Sequence, residues 1–362
     1  MPKIRVLVVE DSVTVRMRLM EILSGDPEIE VVGAASDGKR AIELCMLHRP
    51  DLVTMDMMLP VMTGLAATEY IMAHCATPIL IVSASINRGE LFRTYDALAA
   101  GAIDVLEKPT GTEADDIWER RFIATVKLVS RIRIITHLRR RLSDQSPSRV
   151  KASAPLPLPL PHGFRTDRRF ELVAIGASTG GPAAIVEILQ GLPADFRLPI
   201  VFVLHINEPF GSAFADWLDG QVGRPVAYAR EGDPVASAVG RVVMAPTGQH
   251  LTVRDGRFHL TLDPERHSCR PSVDVLFESI AGHYGPSAIA CLLTGIGRDG
   301  ASGLLKLREA GALTIAQDES TSVIYGMPRE AALLGAAFQI LRLDEIAGRL
   351  ASLQGSGREM SQ

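Results

Sequence analysis

Short, nearly unbroken apolar runs recur along this chain, each followed by a polar or glycine-bearing turn and then by a segment with helical spacing. In the amino-terminal part they are IRVLVV at 4–9, EVVGAAS at 30–36, PDLVTM at 50–55, PILIVS at 78–83 and AIDVLE at 102–107. The pattern returns in ELVAIG at 171–176, LPIVFVLH at 198–205, SAIACLLTG at 287–295 and GALTIAQD at 311–318. Apolar strands without alternation, separated by helices, predict parallel sheets covered on both faces. Between the second and third runs of the later part, RVVMAP, HLTVRDG and RFHLTL predict a strand and an inserted β-hairpin, with Asp255-Gly256 as its turn. The expected fold class is α/β: two doubly wound parallel-sheet domains without a residue-level repeat between them.

A composition shift separates the two halves. SDQSPSRVKASAPLPLPLPHGFRTD at 143–167 contains a Pro-Leu alternation from Pro155 to Pro161, which favours extended polyproline II geometry and predicts a semi-rigid spacer. Before it, Trp118 to Leu142 has helical spacing and a basic remainder that includes Arg131, Arg133, Arg139, Arg140 and Arg141. That stretch reads as a solvated helix face running into the spacer, with an acidic partner surface as the alternative. The predicted boundaries are 1–128 for the first domain, 129–168 for the basic helix extension and Pro-rich linker, 169–355 for the second domain and 356–362 for a polar tail.

Composition narrows the class. With 362 residues, 47% hydrophobic and 22% charged, the chain reads as a soluble globular protein of two domains. A formal charge of -4 gives no global reason to expect nucleic-acid binding. The amino terminus lacks a signal-peptide pattern and no apolar run is long enough to cross a bilayer, so the expectation is a cytoplasmic protein without direct membrane insertion. The four cysteines, Cys45, Cys75, Cys269 and Cys291, form no CxxC pair and read as buried small hydrophobes. The nine histidines form no HxxxH or HExxH pair, which gives little support to a zinc site.

Candidate chemistry gathers at strand ends, where open parallel sheets place their ligand sites. In the first domain Glu10 and Asp11 follow the first strand, Asp56 the third, Ser83 and Ala84 the fourth, and Lys108-Pro109 the fifth. Three converging carboxylates, Glu10, Asp11 and Asp56, repel one another unless a hard cation neutralises them, and Mg2+ suits a site of oxygens and waters. Asp56 is the expected phosphoacceptor, with Ser83 and Lys108 placed to meet a phosphoryl group. Residues 1 to about 128 resemble a response-regulator receiver domain, which is flavodoxin-like, through VVEDS, DMMLPVMTG, VSAS and EKP. Two positions depart from that pattern. Val105 stands where receivers often carry an aromatic switch residue, and Thr63 replaces the usual acid.

In the second domain AIGASTGGP, Ala174 to Pro182, places Ser178 at a strand-to-helix turn, where it reads either as a helix N-cap or as a nucleophile. His205 ends the next strand and Asp299 follows a later one, so parallel neighbours would bring all three to one sheet edge. Such a set can act as a triad, with His205 as base, Asp299 orienting the imidazole, and N–H groups near Thr179 and Ile296 stabilising an oxyanion. The competing reading is a dinucleotide fingerprint, Gly295-Ile-Gly297-Arg-Asp-Gly300, with Asp318 as ribose ligand and an oxidoreductase as its consequence. A catalytically silent receiver-adaptor is a third.

Residues from about 169 to 355 resemble the catalytic domain of the chemotaxis protein-glutamate methylesterases known as CheB. The resemblance rests on IGASTGGP, LH at 204–205, EGDPV, RPSVDVLF, LLTGIGRDG and AQDESTSVIYGMPREA. It implies a Rossmann-like methylesterase domain with Ser178, His205 and Asp299 as triad, and Thr179 and Ile296 at the oxyanion positions. It also implies a phosphorylation-regulated hydrolase of a two-component system that releases methanol from receptor glutamate methyl esters and acts as a deamidase on receptor glutamines. No cofactor is expected for the ester chemistry. The implied partners are a chemotaxis histidine kinase and methyl-accepting chemoreceptors or related methylated receptors. INEPFGSAF after His205, Ile296 in place of a usual methionine, and Thr247 in place of a glycine depart from the family around the substrate site.

Overall fold

A computed structural model describes residues 2–84, 87–108, 115–132 and 169–354. The chain divides into two compact units, Met1–Ser148 and Arg149–Gln362. The Pro-Leu spacer, the basic residues from Arg133 to Arg141 and the tail from 355 lie outside the described residues.

The first unit alternates strand and helix: β1 (Ile4–Val9), α1 (Val13–Gly25), β2 (Ile29–Ala35), α2 (Gly38–His48), β3 (Leu52–Met55), α3 (Gly64–His74), β4 (Ile79–Ser83), α4 (Arg88–Ala99), β5 (Asp104–Glu107) and α5 (Asp115–Val129). The strands form one parallel sheet in the order β2-β1-β3-β4-β5. The central strands are wholly buried, which explains their lack of alternation. Helix starts follow side-chain chemistry: Ser12, Asp37, Thr63 and Asn87 each accept a backbone N–H from the first turn. Thr63, which departs from the receiver pattern, thus serves as the cap of α3. The described part of the basic stretch is helical only to Val129, with Trp118 buried and its Nε1–H donated to the Glu107 carbonyl.

The second unit begins with β6 (Leu172–Ala177), α6 (Gly181–Gly191), β7 (Ile200–Leu204), α7 (Phe214–Gln221), β8 (Val226–Tyr228) and β9 (Val242–Met244). The hairpin β10 (His250–Arg254) and β11 (Arg257–Thr261) follows, then α8 (Val273–His283), β12 (Ala288–Leu292) and α9 (Ala301–Glu309). β13 (Leu313–Gln317), α10 (Met327–Leu333), β14 (Gln339–Leu341) and α11 (Leu343–Gln354) complete it. Seven parallel strands run in the order β14-β13-β12-β6-β7-β9-β8. RVVMAP supplies β9 of this main sheet, whereas HLTVRDG and RFHLTL form the separate antiparallel hairpin, turned through Asp255 and Gly256 at positive φ. The hairpin contributes Leu251, Val253 and Phe258 to the same core as Leu276, Phe277 and Ile280 of α8, so the insertion is packed rather than appended.

One close approach fixes the position of α8. A Cβ on Gly176 of β6 would overlap both methyls of Val273, the first residue of α8. Val273 is β-branched and stiff, so it cannot swing aside without moving the helix. Gly176→Ala is therefore expected to lower the stability of the second unit by about 1–3 kcal/mol through overpacking. Urea unfolding of the full chain checks this; an unchanged midpoint for that unit would show that the contact yields freely.

Candidate active site and phosphoacceptor site

The register of the second sheet brings the predicted residues together. β6 lies between β12 and β7, with Ala177 paired to Leu204 and Gly176 to Leu292. Ser178, His205 and Leu293 therefore leave the sheet at one edge. The His205 N–H donates to the Ala177 carbonyl (3.0 Å), and the Ser178 N–H donates to the Thr294 carbonyl (3.0 Å). Ser178 is not the N-cap of α6: Gly180, at φ 77°, holds that position without a side-chain bond, and Pro182 occupies the first turn. The Ser178 carbonyl accepts the Gly181 N–H (2.7 Å), which closes the tight turn and leaves the hydroxyl without a capping role. Among the described residues no hydrogen bond involves Ser178 Oγ. Gly295 packs against it, since a Cβ there would stand 2.6 Å from Ser178 Cβ.

Asp299 is the most constrained member. Its carboxylate is 2% exposed and accepts from His205 Nε2 (2.9 Å), Ser272 Oγ (2.7 Å), Val273 N–H (2.7 Å) and Asp274 N–H (3.1 Å). The last two donors open α8, so the carboxylate sits at the positive end of that helix. Burial alone would raise its pKa, but His205, Ser272 and Val273 outweigh burial and hold it below the ordinary value. Since a carboxylate only accepts, Nε2 carries the shared hydrogen and Nδ1 is the imidazole's basic nitrogen. Burial works against the imidazolium, yet the Asp299 bond and the neighbouring Cys269 prevail and raise the His205 pKa to about 9.

Two neighbours escaped the sequence reading. Cys269 Sγ lies 3.8 Å from His205 Nδ1, and Ser272 joins His250 Nδ1 to Asp299 through its backbone N–H and hydroxyl. Ser272 carried a signal, as the N-cap that opens α8. Cys269 carried none, because it sits in a loop whose position depends on long-range packing. His205, Cys269 and Asp299 could together hold a metal ion, as could His267, Asp274 and Asp299, although neither set shows a metal spacing along the chain.

The two expected oxyanion residues lie in adjacent strand-end loops, after β6 and after β12. Thr179 is buried and its carbonyl accepts from Thr294 Oγ1 (3.0 Å), whereas Ile296 is 37% exposed at the rim. Two of the departures from the family pattern meet each other: Thr247 Oγ1 donates to Glu208, and a Cβ on Gly211 would overlap Thr247. The glycines of the dinucleotide fingerprint serve the turn that carries Asp299, with Gly297 and Gly300 at φ 85° and 88°. Asp318, the expected ribose ligand, is bound within its own turn by Ser320 and Thr321, including the Thr321 N–H at 3.0 Å.

In the first unit Glu10, Asp11 and Asp56 offer oxygens that all lie within 4.8 Å of one another. Lys108 Nζ bridges two of them, 2.8 Å from Glu10 Oε2 and 3.0 Å from Asp56 Oδ2. Burial and the Asp56 charge raise the Glu10 pKa, while burial of Lys108 is outweighed by both carboxylates, which raise its own. Ser83 Oγ is fully buried and has no hydrogen-bond partner among the described residues. A buried hydroxyl left open beside clustered acids fits a phosphoryl oxygen arriving on Asp56, and the all-oxygen donor set fits Mg2+.

Comparison with known proteins covers both units of the chain. The CheB methylesterase model matches residues 173–350, and the response regulator receiver domain model matches residues 6–117. A protein-glutamate methylesterase/protein-glutamine glutaminase of Nitrosospira multiformis is 42% identical over 353 residues, covering 97% of each chain. One from Syntrophus aciditrophicus is 43% identical over 356 residues, covering 98% of this chain and 99% of its own. The crystal structure of the Thermotoga maritima CheB methylesterase catalytic domain covers 51% of this chain and all of its own, at 34% identity and a TM-score of 0.49. With near-complete coverage at this identity, the chain belongs to the CheB methylesterase family, in the form that joins a receiver domain to the esterase domain.

Proposed function

We propose that this chain is a phosphorylation-regulated protein-glutamate methylesterase, and also a protein-glutamine deamidase, acting on methyl-accepting chemoreceptors or related methylated receptors. The single observation that carries the reading is the Asp299–His205 pair held at the sheet edge beside Ser178. His205 in its neutral form takes the Ser178 proton at Nδ1 as Oγ attacks the γ-carbonyl, and Asp299 steadies the imidazolium that results. N–H groups near Thr179 and Ile296 receive the oxyanion. The Nδ1 proton then passes to the departing methoxide, giving methanol, or to the departing amide nitrogen, giving ammonia, when the substrate is an amide. Water, activated by the same nitrogen, releases the glutamate. The bond between Ser178 and His205 is the contact left for substrate to complete, as catalytic hydrogen bonds often tighten only in the substrate complex. The described helices include none long and apolar enough to cross a membrane, which fits an enzyme that meets receptor helices from a water-exposed side.

In the receiver domain Asp56 is the proposed phosphoacceptor, supplied by a chemotaxis histidine kinase. Glu10, Asp11 and Asp56 would hold Mg2+, which when bound supplies charge neutralisation for the incoming phosphoryl group. Ser83 and Lys108 would bind that group's oxygens, and drawing Lys108 away from Glu10 and Asp56 is the local event that phosphorylation brings. The receiver and esterase domains are taken to divide within 129–168.

Three outcomes test this reading. Ser178→Ala is expected to lower methanol release from methylated receptor membranes by about 10^4-fold or more, with circular dichroism unchanged; retained turnover would remove Ser178 as nucleophile. The kcat/KM profile should rise with pH on a limb set by the free imidazole, near the raised value of about 9. Asp299→Asn removes the charge that favours imidazolium, so the limb should fall toward the ordinary 6.5 while kcat drops; a stationary limb in blank-corrected initial rates would contradict the pairing. Asp56→Asn should abolish any response of methanol release to a small phosphodonor with Mg2+, and a full response in that variant would place the phosphoryl group elsewhere.

A further inference from the structure

The receiver domain contains a second constellation far along the fold from its acidic edge. Cys45, in the last turn of α2, and Cys75, the residue that caps α3, lie 30 positions apart in sequence, yet their sulfurs stand 3.7 Å from each other. Cys45 is fully buried and Cys75 is partly exposed, so one sulfur faces the protein interior and the other can meet a small solute. Thr77 Oγ1 lies 3.4 Å from Cys45 Sγ and donates to the Cys75 carbonyl at 3.0 Å, which holds the loop after α3 over the end of α2.

We propose that Cys45 and Cys75 form a modification site that takes up a hydroperoxide and closes into a reversible disulfide joining α2 to the end of α3. Separation is the first argument. A disulfide needs sulfurs about 2.05 Å apart, and these two already stand in van der Waals contact at 3.7 Å. Polarity is the second. The Cys75 thiol donates to Cys45 Sγ, and that bond, with the Arg49 guanidinium nearby, eases ionisation of Cys45 while pushing the Cys75 pKa up. The contact works against double ionisation: the first deprotonation is eased, to about 7 on Cys45, and the second is pushed far up. Only one thiolate is needed at a time.

The chemistry balances without another co-reactant. Cys75 passes the hydrogen it donates to the ionised Cys45 sulfur. The Cys75 sulfur, now the thiolate, attacks the outer oxygen of the hydroperoxide, the O–O bond breaks, and the alkoxide or hydroxide fragment takes up the proton lost in the first ionisation and leaves as alcohol or water, giving a sulfenic acid on Cys75. Cys45 then attacks that sulfur; the S–S bond forms, the S–O bond breaks, and hydroxide leaves as water with the Cys45 proton. Two thiols and one hydroperoxide give one disulfide, one alcohol and one water. A burial difference between the partners suits this order, because the exposed sulfur meets the oxidant and the buried one resolves it before further oxidation.

The test uses the full chain treated with hydrogen peroxide, quenched with an alkylating maleimide, and mapped without reduction. The expected result is a cross-linked peptide pair containing Cys45 and Cys75, an intact mass lower by two hydrogens, and full recovery of both thiols with dithiothreitol. The receiver's thermal transition should also rise on oxidation, because the closed loop restricts the unfolded chain. Cys75→Ser, at the partly exposed position, should remove the cross-link and the thermal shift while leaving the reduced protein folded. Accumulation of sulfinic acid on Cys75 with Cys45 still open to alkylation after unfolding would overturn the proposal. So would a disulfide that joins either cysteine to Cys269 or Cys291 instead.

Discussion

The esterase domain depends on how it keeps one buried carboxylate charged. Asp299 sits almost completely out of water, where an unpaired anion would be strongly unfavourable. It is retained because four donors converge on it, two of them the first N–H groups of α8. That requirement reaches outward. α8 must start at one place, so Ser272 caps it and Gly176 lacks a side chain where Val273 approaches. Asp274, one residue on, accepts the Gly303 N–H at 2.6 Å and so ties α9 to the same point. Geometry at His205 is therefore inherited from the packing of α8 against α9, and the imidazole is oriented before any substrate arrives.

Much of this was legible in the chain because parallel sheets write themselves plainly. Every apolar run of the opening pattern became a strand, and the residues at the ends of those runs came together, since register in a parallel sheet aligns carboxyl ends by construction. The strands that went unread were β8 and β14, each three residues long. Such segments are too short to show a period, and Ile340, half exposed on an edge, gives no sign of burial. The basic stretch after Trp118 was read as one helix to Leu142, whereas the described helix ends at Val129. Its charged continuation lies outside the described residues.

Side-chain neighbours were less legible than strand ends for a related reason. Cys269 reaches His205, and Cys45 reaches Cys75, through loops and helix termini whose placement follows from packing rather than from a local repeat. Spacing rules for cysteine and histidine detect ligands that share an element; they are silent about pairs brought together by different elements. Reading the cysteines as buried small hydrophobes fits Cys45 and Cys291, whereas Cys75 and Cys269 are partly exposed, and it concealed the contacts that Cys45, Cys75 and Cys269 make.

The two domains solve a common electrostatic problem in different ways, and the difference matches their chemistry. Both place acids at the carboxyl ends of parallel strands, where repulsion and desolvation act together. In the esterase domain the acid is neutralised by fixed N–H dipoles and a hydroxyl, which belong to the start of α8 and are held by its packing. In the receiver domain Glu10 and Asp56 lean chiefly on a side-chain ammonium, Lys108, with the Ser83 hydroxyl left open beside them. A site neutralised by backbone donors is suited to hold a catalytic group still through many turnovers. One balanced by a flexible side chain is suited to be rearranged, because an added dianionic group competes directly for the same lysine. The fold repeats, but permanence of the counter-charge separates a working site from a switch.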